Sequence, residues 1–144
     1  MKDIFVEKLK GADSMYAVQG GVLQVLKEQD PPLGYAIGHF DLNNNQPDSK
    51  LVVYTRLLAA HLPVFSDVDV FNQDLVDRLQ SFGKLLPVEL VEFRRTIIQL
   101  GNISAVYLLP GWDKSNETYD AYATAQSSGK MSYLLGQNHP HLRF

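Results

Sequence analysis

The 144-residue sequence contains no cysteine, which removes disulfides, thiolate nucleophiles and cysteine-ligated zinc together and fits a reducing compartment. It also lacks a basic cluster. Thirteen Lys/Arg against sixteen Asp/Glu leave a formal net charge of −3, and without a basic face there is no electrostatic footprint for duplex nucleic acid. Small molecules or proteins are the expected partners. No apolar run approaches the roughly 20 residues that cross a bilayer, and the charged start Met1-Lys2-Asp3 has no signal-peptide pattern, so the expectation is a cytoplasmic chain without a membrane partner. Internal repeats are absent. Gly20-Gly21 is an isolated pair, without the strand before it and the lysine after it that a phosphate loop requires.

What remains is the makeup of one globular unit, with 45% hydrophobic and 20% charged residues on a chain long enough for a single core and too short for two ordinary domains. Residues 1–29 read as helical, with apolar faces from Ile4, Phe5 and Leu9 and from Val22, Leu23, Val25 and Leu26. Gly11 and Gly20-Gly21 predict two short helices or a broken one. Asp30-Pro31-Pro32 ends the pattern, because the residue before a proline is pushed out of the α region. Leu33 to Leu42 reads as extended, and the composition of Asn43 to Asp48 predicts a mobile loop. Leu51 to Ala60 is ambiguous, its first half favouring strand and its second half helix.

From Leu62 onward strand and helix alternate. Short strands are expected at Leu62–Phe65, Leu85–Leu86, Ser104–Leu109 and Met131–Leu135. Between them lie a helix striped by Phe71, Leu75, Val76, Leu79 and Phe82, another striped by Leu90, Phe93, Ile97 and Leu100, and a third from Ser115 to Ser128. Gly83, Gly101 and Gly129 supply the stops. Such alternation implies parallel pairing through right-handed crossovers, hence an α/β fold.

The most informative stretch is Ala105 to Ser115, an apolar run halted by Pro110-Gly111 and followed by Trp112 and a serine suited to cap a helix. It describes a strand whose carboxyl end delivers the chain to a helix start, where ligands of open α/β sheets bind. Ser115 can cap the backbone N–H groups of that helix or leave them to an anion. Trp112 can stack on a base or sugar, or pack against the sheet edge.

Leu108-Leu109-Pro110-Gly111-Trp112-Asp113-Lys114-Ser115 resembles the signature of small proteins related to nucleoside 2-deoxyribosyltransferases and nucleotide N-glycosidases, whose pattern runs LPGW, two residues, Ser, one residue, Gly, with a Glu six places after the Ser. Phe71-Asn72 through Leu79, Gly83 and Pro87-Val88-Glu89-Leu90 are similar to that superfamily's first helix, its glycine stop and the start of its second crossover helix, so the likeness spans about residues 62–136. It implies a Rossmann-like (flavodoxin-like) three-layer sandwich with a small, mostly parallel sheet, carried by residues 62–144, with residues 1–61 as an amino-terminal helical extension packed on that core. In the superfamily the Ser and the following Gly hold a 5′-phosphate and the Glu is the nucleophile. Here the Ser is Ser115, the glycine position is Glu117 and the nucleophile position is Ala121.

A methyl group cannot form a glycosyl intermediate, so the departure at 121 predicts loss of that chemistry. Asp120, about 100° around the helix and shorter than Glu, is an awkward replacement, and Glu117 is the other candidate acid. Glu117 would repel a phosphate, with Lys114 as partial compensation. The superfamily's first strand ends in an aromatic and a Gly-Pro turn. The stretch Val64-Phe65-Ser66-Asp67-Val68-Asp69 lacks both glycine and proline, which predicts a reshaped pocket. In it Ser66, Asp67 and Asp69 either contact a ribose or cap the next helix.

The expected ligand-binding set is therefore Phe65, Ser66, Asp67, Gly111, Trp112, Ser115 and Asn116, with no metal and no cofactor. His139 and His141 are two potential ligands near the end, too few for a site. His39 with Asp41, and His61, have no partner at a recognisable catalytic spacing. Tyr107, Tyr119 and Tyr122 either line a pocket or pack the last helix. The expected function is binding of a nucleotide- or nucleoside-like molecule without glycosyl transfer. The alternatives are an active N-glycosidase or deoxyribosyltransferase with a relocated acid, and a protein-interaction module. The resemblance further implies a possible homodimer and an origin among viruses of bacteria or mobile elements.

Overall fold

A computed structural model describes residues 1–40, 49–83 and 85–135. The expected loop at Asn43–Asp48, Asp41 and the His139–His141 pair lie outside the described residues.

Two helices, α1 (Lys2–Lys8) and α2 (Met15–Lys27), precede strand β1 (Leu33–Ile37). Ser14 starts α2 by accepting from the Ala17 N–H at 3.1 Å, and Gly20-Gly21 lies inside α2 without breaking it. The ambiguous segment is helical, as α3 (Ser49–Ala59), and leads into β2 (Val64–Ser66). One turn, α4 (Asp67–Val70), is divided from α5 (Gln73–Gln80), so the helix expected from Phe71 forms but begins at Gln73. Asn72 makes the division, its side-chain oxygen accepting from the Leu75 N–H at 2.9 Å as the cap of α5. Helix α6 (Pro87–Ile98), strand β3 (Ile103–Leu108), a 3-10 turn at Trp112–Lys114, helix α7 (Asn116–Ser127) and strand β4 (Met131–Leu134) complete the chain.

The four strands among the described residues are all parallel, in the order β2-β1-β3-β4. The fold is α/β and Rossmann-like, with one correction to its composition. The strand expected at Leu85–Leu86 does not form: Leu86 is exposed, and its N–H donates to the Glu89 carboxylate at 2.7 Å to open α6 behind Pro87. The fourth strand is instead β1, which pairs with β2 on one side and β3 on the other. The boundary expected at 61/62 therefore runs through the sheet, and residues 1–61 supply one of its two inner strands.

Alternation along the strands separates two cores. Tyr35, Ile37, Phe65, Val106 and Leu108 face the larger one, filled by Phe5, Leu9, Val22, Leu26, Leu75, Leu79, Phe93 and Ile97 from the flanking helices. Ala36, Val64, Ala105 and Tyr107 face the smaller one, against Leu51 and Leu58 of α3. Small residues dominate this second face because aromatic rings lie flat over it. A Cβ on Gly34 would stand 2.5 Å from the Tyr107 ring, and Tyr107 stacks on Tyr133 with centroids 5.1 Å apart. Continuous burial of β1, in contrast to the half-exposed edge strand β4, is the signature of a strand covered on both faces.

Candidate functional site

The strand order reverses direction between β1 and β3, and in open α/β sheets the carboxyl ends flanking such a point form the ligand crevice. Here the flanking segments are Gly38-His39-Phe40 after β1 and Leu109 to Ser115 after β3. Gly38 is buried, His39 exposed and Phe40 half-buried. On the other side Pro110 ends the strand and Gly111, at φ +88°, takes the left-handed turn that a side chain would strain.

Beneath this crevice lies a buried polar network that sequence reasoning did not single out. Arg94 of α6 reaches the Asp67 Oδ2 atom through Nε at 3.0 Å and Nη2 at 2.7 Å, and Nη2 also donates to the Gly38 carbonyl at 2.8 Å. The Tyr35 hydroxyl donates to Asp67 Oδ1. All three side chains are buried. Burial and the Asp67 carboxylate push the Tyr35 hydroxyl well above its ordinary range, so it remains a donor. Burial opposes the Arg94 charge, but Asp67 and Tyr35 outweigh it and leave the guanidinium more firmly protonated than usual. The remaining nitrogen, Nη1, is buried and has no hydrogen-bond partner among the described residues. A buried, unsatisfied donor on a charged group is rare because it forfeits hydration without recompense.

The network relocates three of the expected ligand residues. Phe65 is a core residue, stacked on Tyr35 at 4.6 Å and packed near Phe5 at 5.8 Å. Ser66 is buried and caps α4, its hydroxyl accepting from the Val68 N–H at 3.3 Å while its own N–H donates to Asp69 Oδ2 at 2.9 Å. Asp67 anchors Arg94. None of the three presents a surface to a ligand. The capping explanation holds for Asp69, whose carboxyl is raised by burial with the Ser66 N–H pulling the other way.

On the opposite side, Gly111, Trp112, Ser115 and Asn116 do come together at the start of α7. Ser115 caps the helix, accepting from the Thr118 N–H at 3.5 Å, and donates its own proton to Glu117 Oε2 at 2.9 Å. The Glu117 carboxyl is held below its ordinary range first by its own backbone N–H, then by the Ser115 hydroxyl, with His39 and Arg94 adding to the effect. Glu117 thus folds its carboxylate onto the Ser115 hydroxyl and its own backbone N–H, groups at the helix start that would otherwise be open to an anion. Trp112 is half-buried, stacked on Tyr119 at 5.9 Å and tilted against Tyr122 at 4.8 Å, while its carbonyl accepts from the buried Thr118 hydroxyl. Lys114 is exposed.

Both acids weighed as nucleophiles already have partners, Glu117 the Ser115 hydroxyl and Asp120 the Arg95 guanidinium. Ala121 is fully buried in the main core, so position 121 points inward. Asp120 forms a two-point pair with Arg95 on the outer surface of α6 and α7, at 2.5 and 3.0 Å. Among the described residues no group of three or more His, Asp or Glu side chains stands close enough to hold a metal ion, and no helix is long and apolar enough to cross a membrane. No family model matches this chain, and neither a curated protein nor a solved structure matches it.

Proposed function

We propose that the protein binds a nucleoside-like small molecule in the crevice between the carboxyl ends of β1 and β3, without glycosyl transfer. The observation that carries the reading is the unsatisfied Arg94 Nη1, on a buried guanidinium bonded to the Gly38 carbonyl just past the carboxyl end of β1, beside the point where the strand order reverses. A cationic donor kept there without a partner suits an acceptor oxygen of a base or sugar, met directly or through one ordered water. Exposed His39 and the Glu117 carboxylate line the way in and suit ribose hydroxyls. Trp112 is braced by two tyrosines and offers a fixed aromatic edge.

Glu117 favours a nucleoside over a 5′-nucleotide, because it occupies the anion position of α7 and would repel a phosphate. The buried methyl of Ala121 and the Arg95-bound carboxylate of Asp120 favour binding without turnover. Thermal denaturation with nucleosides at about 100 times their dissociation constant should show a stabilisation of about 2.7 kcal/mol. The corresponding 5′-monophosphates should give less, and chromatography should show no released base. Base release abolished by Asp120→Ala would instead establish the relocated-acid enzyme. Indifference to all nucleosides and nucleotides would favour the protein-interaction reading.

A further inference from the structure

A second cavity, of about 320 Å³, opens between α3 and the α4–α5 segment, away from α7. This size is at the lower end for small-molecule pockets and suits a single ring with one substituent. Its apolar walls include Phe40 and Phe71, whose rings lie 5.8 Å apart at 38°, and Val52 of α3. Lys2 and Arg56 also line it, and neither has an ion-pair partner among the described residues. Among the described lining residues the one carboxylate is Asp69, already bonded to the Ser66 N–H as part of the α4 capping box. Among the described residues, two cations without an ion-pair partner stand beside two aromatic rings, against one carboxylate that is bonded to the Ser66 N–H and within the field of Lys2, which defines a preference in both charge and shape.

We infer that this cavity binds a small aromatic carboxylate, its ring against the touching pair Phe40 and Phe71 and its carboxylate on Arg56 and Lys2. A planar guanidinium matches a carboxylate through two parallel hydrogen bonds, which sets Arg56 as the principal contact and Lys2 as a supporting charge. The site shares Phe40 with the segment flanking the crevice beside α7 but none of the groups proposed to hold the nucleoside, and it stands or falls apart from that reading.

The test is a titration of the full chain with benzoate, followed by amide chemical shifts, with neutral benzyl alcohol as the control. Benzoate should give saturable shifts confined to residues near 2, 40, 52–56 and 68–76, and benzyl alcohol should bind more weakly. Arg56→Gln should weaken benzoate about tenfold or more, the loss expected for a charge-assisted bond, and Lys2→Gln by less. Both residues are exposed, so the variants should fold as the parent does. Glu117→Gln should leave benzoate affinity unchanged. Shifts that do not saturate, equal binding of benzyl alcohol, or undiminished affinity in the Arg56→Gln/Lys2→Gln double variant would overturn the assignment.

Discussion

At the residue scale, Arg94 decides more than any other side chain. Its pairing with Asp67 takes two charges out of water, and such a pair is costly to break because the survivor is left buried and uncompensated. Arg94→Met should therefore lower unfolding free energy by about 3–5 kcal/mol in denaturant titration, whereas Arg94→Met combined with Asp67→Leu should recover most of the loss. Equal destabilisation of single and double variants would mean that the guanidinium acts through packing alone. Glu117 makes a separate prediction. Its pKa in the folded chain lies below the ordinary 4.5, so its ionised form adds stability that is fully present above that value and disappears as pH falls through the lowered one. The melting-temperature gap between wild type and Glu117→Gln should accordingly narrow as the pH drops below about 4.5. A gap unchanged between pH 7 and pH 3 would contradict the carboxylate's role at the helix start.

At the element scale, Gly34 and Asn72 set how strands and helices meet. Gly34→Ala would drive a methyl into the Tyr107 ring and against Val64, and should cost about 1–3 kcal/mol by overpacking. Tyr107→Leu in the same chain should relieve part of that. Asn72→Ala removes the cap of α5 and should cost about 1 kcal/mol. Helices α1, α2, α5, α6 and α7 were legible because their apolar residues recur at helical spacing beside glycine, proline and serine punctuation. The final strand–turn–helix was legible for the same reason, as was the gathering of Gly111, Trp112, Ser115 and Asn116. That β1, already read as extended, joins the sheet in place of Leu85–Leu86 was not, since a short apolar run reads alike as a strand or as a helix approach until long-range pairing selects one. The Tyr35–Asp67–Arg94 network joins residues 32 and 27 positions apart, beyond any local pattern. One signal was nevertheless present: Arg94 stands four residues after Leu90 and three before Ile97, on the apolar stripe of α6, where a charge must find a buried partner.

At the scale of the whole molecule, the described residues among the first sixty are part of the fold. Arg78 of α5 donates to the Leu9 and Ala12 carbonyls at 2.6 Å each. Asn102, just before β3, donates to the carbonyls of Leu26 and Gln29 at 2.8 Å each. With β1 in the middle of the sheet, a chain starting at residue 62 loses a strand that two others pair with, and circular dichroism and amide spectra should show it unfolded. A cooperative unfolding transition in that fragment would restore the notion of a separable core. The same topology creates the crevice, because the reversal of strand order depends on β1 lying between β2 and β3.

The central claim, that the crevice is a nucleoside site whose phosphate position is filled by the chain's own carboxylate, is tested most directly by calorimetric titration of wild type and Glu117→Gln with a nucleoside and its 5′-monophosphate. Wild type should bind the nucleoside more tightly, and Glu117→Gln should shift the preference toward the monophosphate. Absence of nucleoside binding, or the same preference in both proteins, would contradict the account.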